Sequence, residues 1–339
     1  MNDEQIERAL AMSELKVDTE DALLRFRARA ANEQIVPVVV PLRRHPPTRL
    51  LQGLAAAAAV VLIASGLALS GAAGSILKIF EPKQIVGVPV TPSDLTYLGG
   101  ACANLQLQQC LGTYGTFTWT TPPQPKEVPS LTAATNAAGF TVQTPASLPS
   151  SVTGQPRYGV INQSSATFTF SADATRQAAA KQNRTAPPLP ANIDGAKLFV
   201  TGGPAVVMVW GAPASASPSD PTANIPTLVV GQAKAPVISS DGVTVAELQA
   251  YLLSQPGISP QLAAALRAIS DPTSTLPVPI PAELAISHQV TLQNGAQGLF
   301  IGDNTGIASA VIWQRGGMIY EVIGSLTEAQ GLAVANSMR

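Results

Sequence analysis

From Leu54 to Leu69 the chain runs through Ala, Val, Leu and Ile with a few small residues and nothing strongly polar, inside a stretch, 50–77, of 28 residues without a charge. A helix rises ~1.5 Å per residue, so this stretch would reach ~42 Å, more than the ~30 Å of a bilayer's hydrocarbon core. The pattern predicts one transmembrane helix over 50–77. A buried Ala-rich helix and a cleaved signal peptide ending in the small residues 70–74 are the alternatives, but a charged leader of nearly fifty residues is too long for a signal of that kind.

Two short amphipathic patterns precede the span. Asp3 to Leu15 sets Ile6 and Leu10 at i, i+4, and Asp18 to Arg29 carries Leu23, Leu24 and Phe26 between acids in a first turn and arginines in a last one, which suits the helix dipole. Neither is long enough to fold alone. Pro37, Pro41, Pro46 and Pro47 then mark an extended tether.

Beyond the span the period changes. Residues 85–90, 116–120 and 166–170 read as strands, and 286–292, 297–302, 307–314 and 318–323 read as a meander with turns at Asn294-Gly295, Asp303-Asn304 and Gly316-Gly317. Pro122 to Pro129 interrupts regular structure. Helices are predicted at 130–138, stopped by Gly139, at 174–182, from the capping box Thr244 to Glu247, from Ser259-Pro260, and from a second box, Ser325 to Glu328. Gly195-Ala196, Leu198-Phe199 and Trp210 recur as Gly295-Ala296, Leu299-Phe300 and Trp313, a hint of two similar halves, each with a strand pair. The fold class expected is therefore α+β: short cytoplasmic helices, one transmembrane helix, and an exported domain of antiparallel β-meanders with capped helices. The expected organisation is a cytoplasmic segment 1–34, a basic Pro-rich tether 35–49, the span 50–77, a membrane-proximal strand and Cys-loop region 78–128, and an exported domain 129–339.

Charge sharpens the picture. Of 20 Lys and Arg and 21 Asp and Glu, eight of each sign fall in residues 1–50, so the remaining 289 residues are poor in charge. This balance excludes a basic nucleic-acid binder. Arg43, Arg44 and Arg49 flank the span on its N-terminal side, against Lys78 and Lys83 interrupted by Glu81 on the other, which favours a cytoplasmic N-terminus and an extracytoplasmic C-terminal domain in the cell membrane. The only cysteines, Cys102 and Cys110, fall in the exported part. Paired, they would close a nine-residue loop, for which the chain-entropy estimate is about 2.6 kcal/mol; two separate buried thiols are the alternative. Ile6, Leu10, Leu23, Leu24 and Phe26 are candidates for docking onto a cytoplasmic partner, against the plainer reading of a solvated segment that only sets topology.

The closing stretch Val311–Met338 is ordered as a strand with Trp313, the Gly316-Gly317 turn, a strand with Tyr320, Gly324, a capped helix and Asn336-Ser337-Met338. In this it resembles the end of the bacterial DUF4367 domain family, and Ser75–Phe80 with Val88-Pro89-Val90 is similar to the start of the exported part in comparable single-pass proteins. Together these cover about a fifth of the chain. The resemblance implies a membrane-anchored bacterial protein of the kind attached to anti-sigma-factor regions, with the exported domain sensing an envelope ligand and a sigma factor or other regulator as cytoplasmic partner. It brings no catalytic residues. The zinc-type anti-sigma motif is missing, because no Cys precedes residue 102 and the only earlier His is His45.

A search for catalytic chemistry ends quickly. His288 is the sole histidine of the exported part, no G-x-S-x-G turn accompanies it, and it reads as a strand residue. The Gly202-Gly203 and Gly316-Gly317 pairs lack phosphate-loop spacing. Asp241, Asp271 and Asp303 each sit in a turn that accounts for them. No cofactor or metal site is expected and the chain is not read as an enzyme. The competing function is an anchored envelope module that binds or builds but does not signal.

Overall fold

The computed structural model describes residues 77–91, 93–94, 114–181, 183, 185, 187–211, 226–255, 258–283, 285–304, 306 and 308–339. All of them belong to a compact unit spanning Thr48–Arg339; a second unit is Met1–Pro47. The expected cytoplasmic helices with Ile6, Leu10, Leu23, Leu24 and Phe26, the tether, the span up to residue 76, and Cys102 and Cys110 lie outside the described residues.

In chain order the described strands are β1 (Leu77–Phe80), β2 (Gln84–Val90), β3 (Gly115–Thr121), β4 (Pro125–Val128), β5 (Arg157–Ile161), β6 (Ser164–Phe170), β7 (Lys197–Gly202), β8 (Ala205–Trp210), β9 (Leu228–Lys234), β10 (Val237–Ser240), β11 (Thr275–Pro281), β12 (Ala285–Thr291), β13 (Gln297–Asp303), β14 (Ser309–Arg315) and β15 (Met318–Gly324). The helices are α1 (Leu131–Ala138), α2 (Ala172–Lys181), α3 (Val245–Leu253), α4 (Pro260–Arg267) and α5 (Glu328–Asn336).

The expected fold class is corrected by this inventory. Among the described residues strand makes up 43% and helix 21%, so this part of the protein is mostly β-sheet with short helices packed on it. No helix among the described residues is long and apolar enough to cross a membrane; α2, the longest, has ten residues, where a span needs about 20. Leu77, placed at the end of the expected span, is instead the first residue of β1 and pairs with Ser240.

The largest sheet has eight strands in the order β12-β13-β14-β15-β9-β8-β5-β4, every neighbouring pair antiparallel. A five-stranded antiparallel sheet runs β1-β10-β7-β6-β3, and β2 pairs in parallel with β11. Residues 77–128 thus supply strands to all three sheets. The meander β12 to β15 forms where alternation and Gly turns predict it. Pro122 to Pro129 is not a break, because β4 lies inside it: at the sheet edge Pro125 needs no partner for a missing N–H. β11 holds Pro277, Pro279 and Pro281 at every second position, so all three turn the same edge, away from a ladder that would need their N–H groups.

The expected pair of similar halves is also corrected. β13 and β14 are hydrogen-bonded neighbours, whereas β7 belongs to the five-stranded sheet and β8 to the eight-stranded one. Gly203, at φ 69°, and Pro204 stand between them and turn the chain from one sheet to the other.

Helix ends follow their caps. Ser130 accepts from the Ala133 N–H and Gly139 takes the left-handed conformation at φ 68°, closing α1. Thr244 and Glu247 form the expected capping box of α3. The box of α5 is Thr327 with Gln330, not Ser325 with Glu328, which shifts the helix start by two residues.

Period-two alternation gives the large sheet two different faces. On one, Trp210, Phe300, Trp313, Tyr320 and Met208 pack under α1 and α5 through Ala134, Ala138, Val334 and Ala335. On the other, Leu299, Ile312 and Ile319 meet Ile85, Leu276 and Ile280 of the β2-β11 pair. α4 closes the far side of that pair with Leu262 against Val88 and Val90, and α3 packs Tyr251 and Leu248 onto Phe168, Leu198 and Val200 of the five-stranded sheet.

Candidate functional site

His288 lies in the exposed edge strand β12, with its Nε2 2.9 Å from Oε1 of Glu328 in the first turn of α5 and its ring 5.1 Å from that of Phe300. The contact ties the edge strand to the closing helix. It is about half exposed on both sides, so its contribution to stability is about 0–1 kcal/mol. The turn carboxylates accept from backbone N–H groups, Asp271 and Asp303 within their own turns and Asp241 from a distant strand. Asp271 accepts from the Thr273 N–H and from the Thr273 and Ser274 hydroxyls, and those bonds, Ser274 first, hold its pKa below the ordinary value. Asp241 accepts from the Lys197 N–H and Asp303 from the Ala308 N–H.

Among the described residues two carboxyls are fully buried, Asp94 and Glu321, each at 0% exposure, and their surroundings differ. Burial alone would raise Asp94, but four hydrogen bonds outweigh it and bring its pKa below the ordinary value. Thr91 donates from its N–H at 2.9 Å and its hydroxyl at 2.7 Å, and Ser259 from its N–H and hydroxyl at 2.8 Å each. Since Ser259 also caps α4, Asp94 fastens the end of β2 to that helix. Its role is structural.

Glu321 has no such set. Neither of its carboxyl oxygens has a hydrogen-bond partner. The residue sits in the middle of β15, between Ile312 of β14 and Gly231 of β9 in the ladder. Its side chain shares a face with Ile319 and Ile323, on the side of the sheet away from α1 and α5. A methyl group on Gly231 would stand 2.5 Å from Oε1, 2.6 Å from Cγ and 2.9 Å from Cδ, so the carboxyl lies directly over that glycine. Burial pushes the Glu321 pKa well above the ordinary value.

The ground around it is made of small side chains. Along the row from Glu321 come Gly231, Val207 of β8 and Gly159 of β5; the adjacent row runs Ile319, Ala233, Ala205, Ile161. Gly231, Ala233 and Ala205 are the small residues next to the carboxyl. All three are buried.

The neighbouring residue gives a measure of how unusual this is. Gln232, one position along β9 and on the opposite face, is just as buried, yet its Oε1 accepts from the Gln143 N–H at 2.8 Å and its Nε2 donates to the Gln143 carbonyl at 2.5 Å. A buried polar group left without partners costs about 1–3 kcal/mol, and buried polar groups are satisfied as a rule. Glu321 is the exception on this sheet.

None of the candidate residues named from sequence falls at this site, and Glu321 was not among them. A signal was present: Met318 to Gly324 is apolar on both faces except for one acid, in phase with two isoleucines. Such a strand is buried on both sides, and a Glu inside it has nowhere to be solvated. No family model and no curated protein matches the chain.

Proposed function

We propose that the protein is a membrane-held regulatory protein of a bacterial envelope, whose mostly β domain binds a ligand outside the membrane and whose segment 1–34 engages a cytoplasmic regulator. The observation that carries the binding half is Glu321, a buried carboxyl without hydrogen-bond partners. A group in that state lowers stability, and a complementary ligand would restore what folding leaves unsatisfied. The regulatory half is supported by the split in composition. Charged amphipathic patterns lie before the uncharged stretch 50–77 and a charge-poor chain lies after it, with the order of elements that resembles DUF4367 at the end. A sigma factor is the class of regulator that resemblance suggests.

The test is to tag the full-length chain, crosslink it in its native membrane, and compare what co-purifies with the intact chain and with one lacking residues 1–34. A sigma factor that is recovered with the intact chain and lost with the deletion is the expected result. Envelope components alone, unchanged by the deletion, would leave an anchored binding module and remove the regulatory half.

A further inference from the structure

We infer that the protein forms a two-fold dimer in which β12 of one copy pairs antiparallel with β12 of a second, with His288 on the axis, so that the large sheet runs on through both copies. This goes beyond the proposed function and stands on a different part of the sheet. A strand at a sheet edge offers unpaired N–H and C=O groups to any other chain, and edges are ordinarily guarded by Lys, Pro, a bulge or a very short strand. Among the described residues the other edges follow that rule. β4 is four residues long and holds Pro125 and Lys126; β1 is four residues long, holds Lys78 and shifts register between Lys78 and Phe80. β3 shifts register between Trp119 and Thr121, β2 holds Pro89, and β11 holds Pro277, Pro279 and Pro281. β12 has seven residues, no charged Lys, Arg, Asp or Glu, no proline, and an unbroken one-to-one register with β13. Ile286, Ser287, His288 and Gln289 are all exposed, on both faces of the strand, so this edge stands open.

The ladder fixes which groups face outward. The Leu292 N–H donates to the Ala296 carbonyl at 2.9 Å, and the Asp303 N–H turns to Ala308 at 3.0 Å, away from Ala285. Hydrogen-bonded and non-hydrogen-bonded pairs alternate along an antiparallel ladder. Ile286, His288 and Val290 therefore exchange bonds with β13, while Ala285, Ser287, Gln289 and Thr291 point their N–H and C=O groups away from it. No other backbone hydrogen bond reaches these four among the described residues.

The occupant follows from the symmetry of the strand about its centre. Antiparallel pairing of β12 with itself about His288 sets Ala285 opposite Thr291 and Ser287 opposite Gln289, so every outward-facing residue meets another. In the same register Ile286, 58% exposed, lies opposite Val290 on the face that packs toward α5, and the two gain by covering each other. A two-fold axis also sets like against like, and like charges directly opposite one another are destabilising. A Lys or Glu at the centre of β12 would face its own copy; the residue that stands there is His288, with Glu328 of its own chain 2.9 Å away. A foreign strand has no such match built in. The interface is isologous and closes on itself, and the guarded edge at β4 ends the sheet in each copy.

A strand pair of this length is a small interface, so the dimer is reversible. The test is light scattering of the full-length protein in a mild detergent from about 1 µM to about 100 µM, beside Ser287→Pro, which removes an outward N–H and leaves the bonds to β13 in place. Two further variants, His288→Cys and Thr291→Cys, each in a chain with Cys102→Ser and Cys110→Ser, are oxidised and run without reductant. Opposed residues of a non-hydrogen-bonded pair have Cα atoms about 4.5 Å apart, within reach of a disulfide. The expected result is a dimer whose share rises with concentration, at least tenfold weaker in Ser287→Pro, and a covalent dimer from His288→Cys but not from Thr291→Cys, whose counterpart lies at the far end of the partner strand. Thermal unfolding checks that each variant is folded, and should Ser287→Pro fail to fold, the two cysteine variants decide alone. A monomer at every concentration with no covalent dimer would overturn the inference. So would a dimer that survives Ser287→Pro, or one that crosslinks as readily through position 291 as through 288, because the contact would then lie on another surface or in another register.

Discussion

One face of the eight-stranded sheet is built from the largest side chains in the protein and the other from some of the smallest. Under α1 and α5, Trp210, Trp313, Tyr320 and Phe300 fill the space between sheet and helix, with the Trp313 and Tyr320 rings stacked at 5.3 Å and 10° between planes. The buried amide on that side, Gln232, is bonded at both ends to Gln143. Through the same strands, one residue out of phase, the other face presents Gly231, Ala233 and Ala205 with the unbonded Glu321. The buried amide of the first face is bonded at both ends, and the buried carboxyl of the second is bonded at neither oxygen. The difference separates a face on which folding satisfies its buried polar group from one on which it does not.

Truncating the helix-covered face should give the largest loss. Trp313 is 2% exposed, and Trp313→Ala removes a stacked ring from the centre of the cluster; the expected cost is about 3–5 kcal/mol, read as a fall in urea midpoint with unchanged slope. If the stability did not move, the aromatic face would not be the core and the comparison would fail at its first step.

How much of this was legible in the sequence depended on which force wrote the pattern. The meander β12 to β15 was readable because its turns are local, with Gly295, Gly316 and Gly317 at positive φ where only glycine is comfortable. The starts of α3 and α4 were readable from Thr244 and from Ser259-Pro260 for the same reason. What was missed is non-local. β4 and β11 carry prolines and form only because they meet β5 and β2 from distant parts of the chain. The echo between Trp210 and Trp313 could not reveal that β7 and β8 part into different sheets. Glu321 escaped because a single acid in a strand is ordinarily exposed, and its burial depends on Gly231 about ninety positions away in sequence.

Gln232→Leu tests whether the first face depends on its polar bonds as well as its rings. The substitution strands the N–H and the carbonyl of Gln143 at once, and the expected loss is about 2–3 kcal/mol by the same denaturation. Glu321→Leu, on the opposite face of the same sheet, should move stability the other way. With no bond to lose and an unsatisfied carboxyl replaced by a side chain suited to its isoleucine neighbours, a gain of about 1–3 kcal/mol is expected. Two leucine substitutions in adjacent strands with opposite signs would make the asymmetry of the faces a measured quantity. A loss in both would mean that Glu321 makes bonds after all.

The finest test of the comparison is pH, because the pKa shifts in this protein fall into separate windows. Glu321 is raised above its ordinary value by burial, so the folded state keeps a proton that the unfolded chain gives up. Its contribution is fully present below the unfolded carboxyl range, near pH 4.3, and is lost as pH rises toward the folded pKa, at a slope of at most about 1.4 kcal/mol per pH unit. Asp94, with burial overcome by bonds from Thr91 and Ser259, and Glu81 beside Lys78 are shifted the opposite way. They lose their contribution only as pH falls below that range. Tyr251 and Tyr320, raised by burial, act above pH 10. Between pH 5 and 8, then, the decline in stability should be that of Glu321 alone among the shifted groups. Urea unfolding across this interval is expected to show the decline in the wild type and a flat profile in Glu321→Gln, whose amide cannot titrate. The same slope in both proteins would show that the carboxyl is ionised and solvated in the folded state, and the second face of the sheet would then differ from the first in side-chain size alone.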